Sequence, residues 1–255
     1  MNLCPHAPLP GTAAAPASAL ARADFARGVN RILVLCSLTL LLAGCNSETL
    51  FQSGFNSNAI GAPPAHNQAT GTVTVEGDPG SVVVVAPLPG AGSDRWAQIH
   101  RQSKFESAVP TMHGNLSQIR GPGTYGMLAV LYIPSGSGLV SLDFDAVGVT
   151  PNPVSLLHLD FVSGTPNLVR INDDPARTFG SFPNDHAFTV SVGLDTTGPS
   201  PVAHVAFLRA GTSGNADIPL QPVGFVSQFG AVRFWMGFPW TGTFDVTDIL
   251  VTHNL

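Results

Sequence analysis

The chain has 255 residues, 44% of them apolar and only 11% charged, with a formal net charge of −5. Lys104 is the only lysine, and the scattered arginines form no basic stripe, which excludes a nucleic-acid partner and electrostatic docking on anionic lipid. The length is sufficient for one domain with a buried core.

Residues 1–28 are rich in Ala and Pro, include Asp24 and show no periodicity, so they are expected to be a dispensable extension ahead of the true start. Residues 29–44 read as a signal segment. Arg27 and Arg31 supply positive charge, Ile32 to Leu42 an apolar core, and Ala43-Gly44 the small residues before a cut. The apolar run stops short of the roughly 20 residues that a membrane span needs. The tetrad Leu42-Ala43-Gly44-Cys45 resembles the lipobox of bacterial lipoproteins. That resemblance implies cleavage between Gly44 and Cys45, lipid on the Cys45 sulfur and a lipid-anchored place in the bacterial cell envelope. The outer membrane is favoured where two membranes exist, because Asn46 and not aspartate follows the cysteine. Several acyl chains anchor stably where one does not.

Cys4 and Cys36 precede the cut, so the processed chain keeps only the lipidated Cys45 and has no intramolecular disulfide. The cut also removes Arg22, Arg27, Arg31 and Asp24 from the 11 basic and 16 acidic side chains, leaving eight and fifteen, a net charge near −7. The fold must then rest on its core.

Residues 45–70 are polar and aperiodic, and read as a lipidated N-terminus with a flexible tether; a short edge strand near Leu50–Phe55 is the alternative. From residue 71 to 255 the text changes to a single β-rich domain. Runs at Thr72–Glu76, Ser81–Ala86, Tyr125–Ile133, Leu139–Val147, Val154–Val162, Leu168–Ile171, Ala187–Leu194, Ala203–Arg209, Phe225–Phe229, Ala231–Phe238 and Phe244–Thr252 are separated by Gly, Pro, Asn and Asp. Short strands punctuated in this way predict an all-β fold, an antiparallel sandwich or barrel, and strands that alternate between an apolar and a polar face favour the two-sheet β-sandwich of jelly-roll type. The segment Asp94–Lys104 reads either as a short helix or as a strand around Ala97–Arg101.

Alternation assigns faces. Leu157, Leu159 and Phe161 oppose His158 and Asp160; Leu142 and Phe144 oppose Asp143 and Asp145; Phe188, Val190, Val192 and Leu194 oppose Thr189, Ser191 and Asp195. Ala231–Phe238 and Phe244–Thr252 are apolar on both faces and are expected at the centres of sheets. The closing Gly242-Thr243-Phe244-Asp245-Val246-Thr247-Asp248-Ile249-Leu250-Val251, with the strands before it, resembles the end of concanavalin-A-like jelly-roll domains. Galactose-binding-like jelly rolls end similarly.

No Gly-x-Ser-x-Gly elbow, phosphate loop or His-Glu-x-x-His motif occurs, and the chain reads as non-enzymatic. Glycosidases on concanavalin-like folds use paired glutamates, whereas Glu48, Glu76 and Glu106 all lie outside the region of resemblance; hydrolysis by carboxylates would fall to aspartates. Asp143, Asp145, His158 and Asp160 would share one face if their strands are neighbours. They would then hold calcium or bind sugar hydroxyls, or form an ordinary solvated face. Asn172-Asp173-Asp174-Pro175 and Pro183-Asn184-Asp185-His186 read as Asx turns before calcium loops. Trp235, Trp240 and Arg233 are the candidates for stacking on a sugar ring, with core packing as the alternative for Trp235.

Two functions follow from these readings. One is a non-catalytic, membrane-anchored envelope module with a structural or interaction role, and the other is glycan binding. Neither needs a cofactor beyond the covalent lipid. The partners are the membrane through that lipid, and an envelope glycan or other envelope proteins.

Overall fold

The computed structural model describes residues 47–65, 70–88, 94–147, 154–208, 212, 214–221 and 228–254. All lie within the unit Gly44–Leu255. The expected signal segment, the cut at Gly44 and Cys45, and the lipidation of Cys45 lie outside the described residues.

Every regular element among the described residues is a strand: β1 (Ser47–Ser53), β2 (Thr72–Glu76), β3 (Val82–Val85), β4 (Trp96–Arg101), β5 (Thr111–Asn115), β6 (Thr124–Tyr132), β7 (Leu139–Ala146), β8 (Val154–Val162), β9 (Leu168–Ile171), β10 (Asp174–Phe179), β11 (Ala187–Asp195), β12 (Val202–Leu208), β13 (Asn215–Pro219), β14 (Phe229–Trp235) and β15 (Gly242–Asn254). They form two antiparallel sheets, the sandwich expected from the alternating runs. One sheet has the order β13-β12-β11-β6-β15-β4-β3, with β1 also on β15; the other is β10-β9-β8-β7-β14-β5-β2. As expected for strands apolar on both faces, β14 and β15 are flanked on both sides.

The inward residues of the two sheets make one core. Leu142, Phe144, Leu157, Leu159, Phe161, Val232 and Phe234 from the seven-stranded sheet join Phe188, Val190, Val192, Leu194, Phe244 and Val246 from the other. Phe161 sits at its aromatic end, with ring centroids 5.6, 5.9 and 6.0 Å from Phe182, Phe188 and Phe207. Each such side chain contributes about 1.5–3 kcal/mol through burial.

Long β15 uses one of its sides twice. Gly242–Val246 pair with β4, and residues 249–254 pair with β1. The change of partner falls at a break in register between Thr247 and Leu250, where Asp248 takes φ 49.

Some elements decide readings that the sequence left open and others depart from expectation, with β5, β10 and β13 formed where no run was marked. Ser47–Ser53 is a strand paired to β15 and not part of a tether. Its register shifts between Thr49 and Phe51, and Leu50 and Phe51 are both fully buried. Of the two readings of Asp94–Lys104, the strand around Ala97–Arg101 is the one formed, as β4. Of the run expected at Phe225–Phe229, residues 225–227 lie outside the described residues, and Phe229 is the first residue of β14. The run Ala231–Phe238 stops at Trp235, so Phe238, expected on the apolar side, is 69% exposed. A turn in which Trp240 N donates to Gly237 O follows, and Pro239 inside it cannot donate to a ladder.

Candidate functional site

The seven-stranded sheet places its polar residues in two transverse rows. In the first, Thr74, His113, Arg233, Asp143 and His158 are successive cross-strand partners on β2, β5, β14, β7 and β8. In the second, Glu76, Thr111, Trp235, Ser141, Asp160 and Arg170 follow one another from β2 to β9. Strand period two puts both rows on the face away from the core. Four candidate residues are thereby brought together, because β7 and β8 are neighbours. The centre of the face is not solvated, however: Asp143 and Asp160 are 1% exposed, Asp145 3% and His158 6%.

These residues bind one another. Asp143 Oδ1 lies 2.6 Å from His158 Nδ1. Its Oδ2 accepts from the Trp235 indole and lies 3.0 Å from Arg233 Nη2. Arg233 also reaches Asp145, with Nε 3.0 Å from Oδ2 and Nη2 donating to Oδ1 at 3.2 Å. Asp160 Oδ1 accepts from Ser141 Oγ at 2.7 Å and lies 2.9 Å from His158 Nε2. The Arg233 guanidinium stands 5.5 Å from the centre of the Trp235 ring, and the His158 ring is 5.9 Å from that same ring. At the far end of the first row, His113 Nε2 lies 3.4 Å from Glu76 Oε1.

Electrostatics separates the two aspartates of β7. Burial raises Asp143, but the hydrogen bond and charge of His158, the charge of Arg233 and the Trp235 indole outweigh it, and its carboxyl is held below the ordinary value. Burial pushes Asp145 up to about 6, with the Arg233 charge opposing and the Asp143 charge adding. For His158, burial favours the neutral ring, but the Asp143 and Asp160 carboxylates prevail and lift it to about 10. Burial lowers His113, against the pull of Glu76.

Trp240 stands apart, in the turn between β14 and β15. It is 42% exposed, and its Cβ would lie 2.8 Å from a Cβ placed on Gly138. Trp235, offered by the sequence as core or platform, is partly buried on the outer face with its N–H committed to Asp143. Both acidic loops form turns with left-handed residues, at Asn172 and Asp173 and at Asp185. Asp185 Oδ1 accepts from Ser135 N at 3.0 Å.

Two members of the site, Ser141 and His113, carried no mark of their own in the sequence, and a third, Asp173, was marked only within an acidic turn. Ser141 lies two residues before Asp143 on the same face, and that spacing could have revealed it. His113 sits on β5, a run too short and too glycine-marked to read as a strand. Asp173 reads as a turn residue, yet its Oδ1 lies 3.2 Å from His158 Nε2.

Fold and site together define a two-sheet antiparallel β-sandwich with a buried ionic array on one outer face. No family model matches the sequence, and a search of curated proteins returns no match. Among solved structures, the chain is similar over 82% of its length to a sialidase of Trypanosoma rangeli in complex with 2,3-difluorosialic acid, at 12% identity and a TM-score of 0.49; it spans 30% of that chain. It is also similar over 82% of its length to an endo-1,3-beta-glucanase from Streptomyces sioyaensis, at 11% identity, a TM-score of 0.48 and 97% of that chain. Arcelin-5, a lectin-like defense protein from Phaseolus vulgaris, is similar over 82% of this chain and 98% of its own, at 10% identity and a TM-score of 0.47. The likeness is to their fold.

Proposed function

We propose that this protein is a lipid-anchored envelope module, without catalytic activity, that binds a glycan on the outer face of its seven-stranded sheet. The observation that carries the proposal is the ionic array of Asp143, Asp145, His158, Asp160 and Arg233 around the partly buried Trp235. Buried charge networks are weak stabilisers, since apolar side chains of similar volume often do as well or better. Stability therefore does not account for six polar or aromatic groups gathered on one face, and displaced carboxylate pKa values are a mark of functional sites. Arg233 and Trp235 are the members left partly accessible: the guanidinium donates to sugar hydroxyls and the indole presents an apolar surface to ring C–H groups, while the buried carboxylates hold both in place. The membrane contact is assigned to the lipid on Cys45.

The test is a glycan array probed with the purified protein, followed by calorimetry on any hit. Binding is expected, with Trp235→Ala weakening it by about tenfold or more and Trp240→Ala leaving it within about twofold, as for a well-placed anchor against a peripheral residue. A blank array with folded protein would sink the reading. Loss of binding in Trp240→Ala alone would move the site to the turn after β14.

One observation favours a second reading, hydrolysis of a glycoside. Asp143 and Asp145 lie two positions apart on one strand face and are driven in opposite directions, one towards carboxylate and the other towards acid. Release of reducing ends from a bound glycan, abolished in Asp145→Asn, would replace binding by turnover.

A further inference from the structure

His158 Nε2, Asp160 and Asp173 come together at the edge of this face, with one ligand-type atom from each within 4.8 Å of the others. Their arrangement is built by the chain. His158 N donates to Asn172 Oδ1 at 3.0 Å and His158 O accepts from Asn172 N at 2.9 Å, so both backbone groups of the histidine clamp the turn after β9. Asn172 and Asp173 hold that turn with φ 53 and 57. The clamp brings Asp173 over the imidazole.

The hydrogen bonding of this corner is incomplete. The contact of Nδ1 with the Asp143 carboxylate, at 2.6 Å, assigns the Nδ1 proton to that bond. Nε2 then faces Asp160 Oδ1 at 2.9 Å and Asp173 Oδ1 at 3.2 Å. Neither contact has hydrogen-bond geometry, and buried Nε2 is left without a hydrogen-bond partner. Asp160 Oδ2, on a side chain 1% exposed, also has none. Two carboxylates turned on an imidazole nitrogen call for positive charge there, supplied either by a second proton on the ring or by a cation in that proton's place.

We propose that His158, Asp160 and Asp173 form a site for a divalent transition-metal cation, zinc or manganese. A histidine that ligates a metal through one ring nitrogen commonly gives its other N–H to a carboxylate, and Asp143 supplies that carboxylate. Metal–N and metal–O bonds of about 2.1 Å place adjacent ligand atoms about 2.9–3.4 Å apart, which matches both contacts of Nε2. The nitrogen ligand turns the choice from calcium, which takes oxygen, to the first-row metals that imidazole suits. Three protein ligands leave at least one position for water or for a ligand oxygen. The site stands whether or not the face takes a glycan.

The experiment is calorimetric titration of chelator-stripped, untagged protein with zinc and manganese chlorides, with calcium and magnesium as comparisons. One equivalent of zinc or manganese is expected to bind, and Asp173→Asn to weaken it by about tenfold or more. Asp173 is exposed, with 82% of its side chain accessible, so the variant should melt like the parent in the presence of chelator. Cobalt substitution should give visible d–d absorption that the variant lacks. Absence of saturable binding by folded, stripped protein would overturn the site and assign the charge to a proton on His158. Equal binding by parent and variant would also overturn it, as would saturation by calcium alone.

Discussion

Asp245 shows how a single carboxylate couples this fold to pH. It lies on β15, 1% exposed, where Gln98 Nε2 donates to its Oδ1 at 3.0 Å. Burial pushes it up to about 7, with the Gln98 hydrogen bond pulling the other way. In the unfolded chain the same group titrates near 4. The folded state therefore holds a proton that the unfolded state releases across that interval. The contribution of Asp245 is intact below about pH 4, falls as pH rises to about 7, and is level above. Three pKa units correspond to about 4 kcal/mol at most. Asp245→Asn removes this slope. Urea unfolding should show the stability of the variant, relative to the parent, rising by roughly 2–4 kcal/mol between pH 4 and pH 8; a difference that does not change with pH would refute the assignment.

Among the elements, β1 carries the sharpest expectation. Phe51 is fully buried, and two glycines make room for it: a Cβ on Gly114 would come 2.9 Å from its ring, and one on Gly71 2.6 Å. Phe51→Ala should cost about 3–5 kcal/mol in urea unfolding, as for other buried aromatics. A loss under 1 kcal/mol would mean that β1 only lies against the domain. This strand was hard to read because its register shift puts Leu50 and Phe51 side by side in the core, breaking the alternation that marks strands. Gly114, small because Phe51 needs the space, disguised β5 in the same way. The edge strands β10 and β13 are short and mostly exposed and carry Pro175 and Pro219, so each turns only one or two apolar residues to the core, Phe179 from β10 and Ala216 and Ile218 from β13. Where both sheets bury one face, as in β7, β8 and β11, the alternation was legible and so was the grouping of Asp143, Asp145, His158 and Asp160. What spacing could not convey was the burial of that group, which depends on strand neighbours and on a turn brought over from β9.

At the scale of the molecule, the eight-stranded sheet is closed by pairings between distant parts of the chain. Ser47 faces Asn254, and β15 is bonded to β1, β4 and β6. Such topology places folding among the slower two-state domains, because chain entropy is lost before distant strands gain contacts. Stopped-flow refolding should accordingly fall in the millisecond-to-second range, and a microsecond phase carrying the full amplitude would contradict it. The change of partner along β15 also has a consequence in time. A chain emerging in order holds β1, β4 and β6 without the strand that joins them until residues 242–254 are present. Under the proposed envelope role, where the chain would be exported as unfolded polypeptide, the interval in which it stays threadable is set by the arrival of one strand.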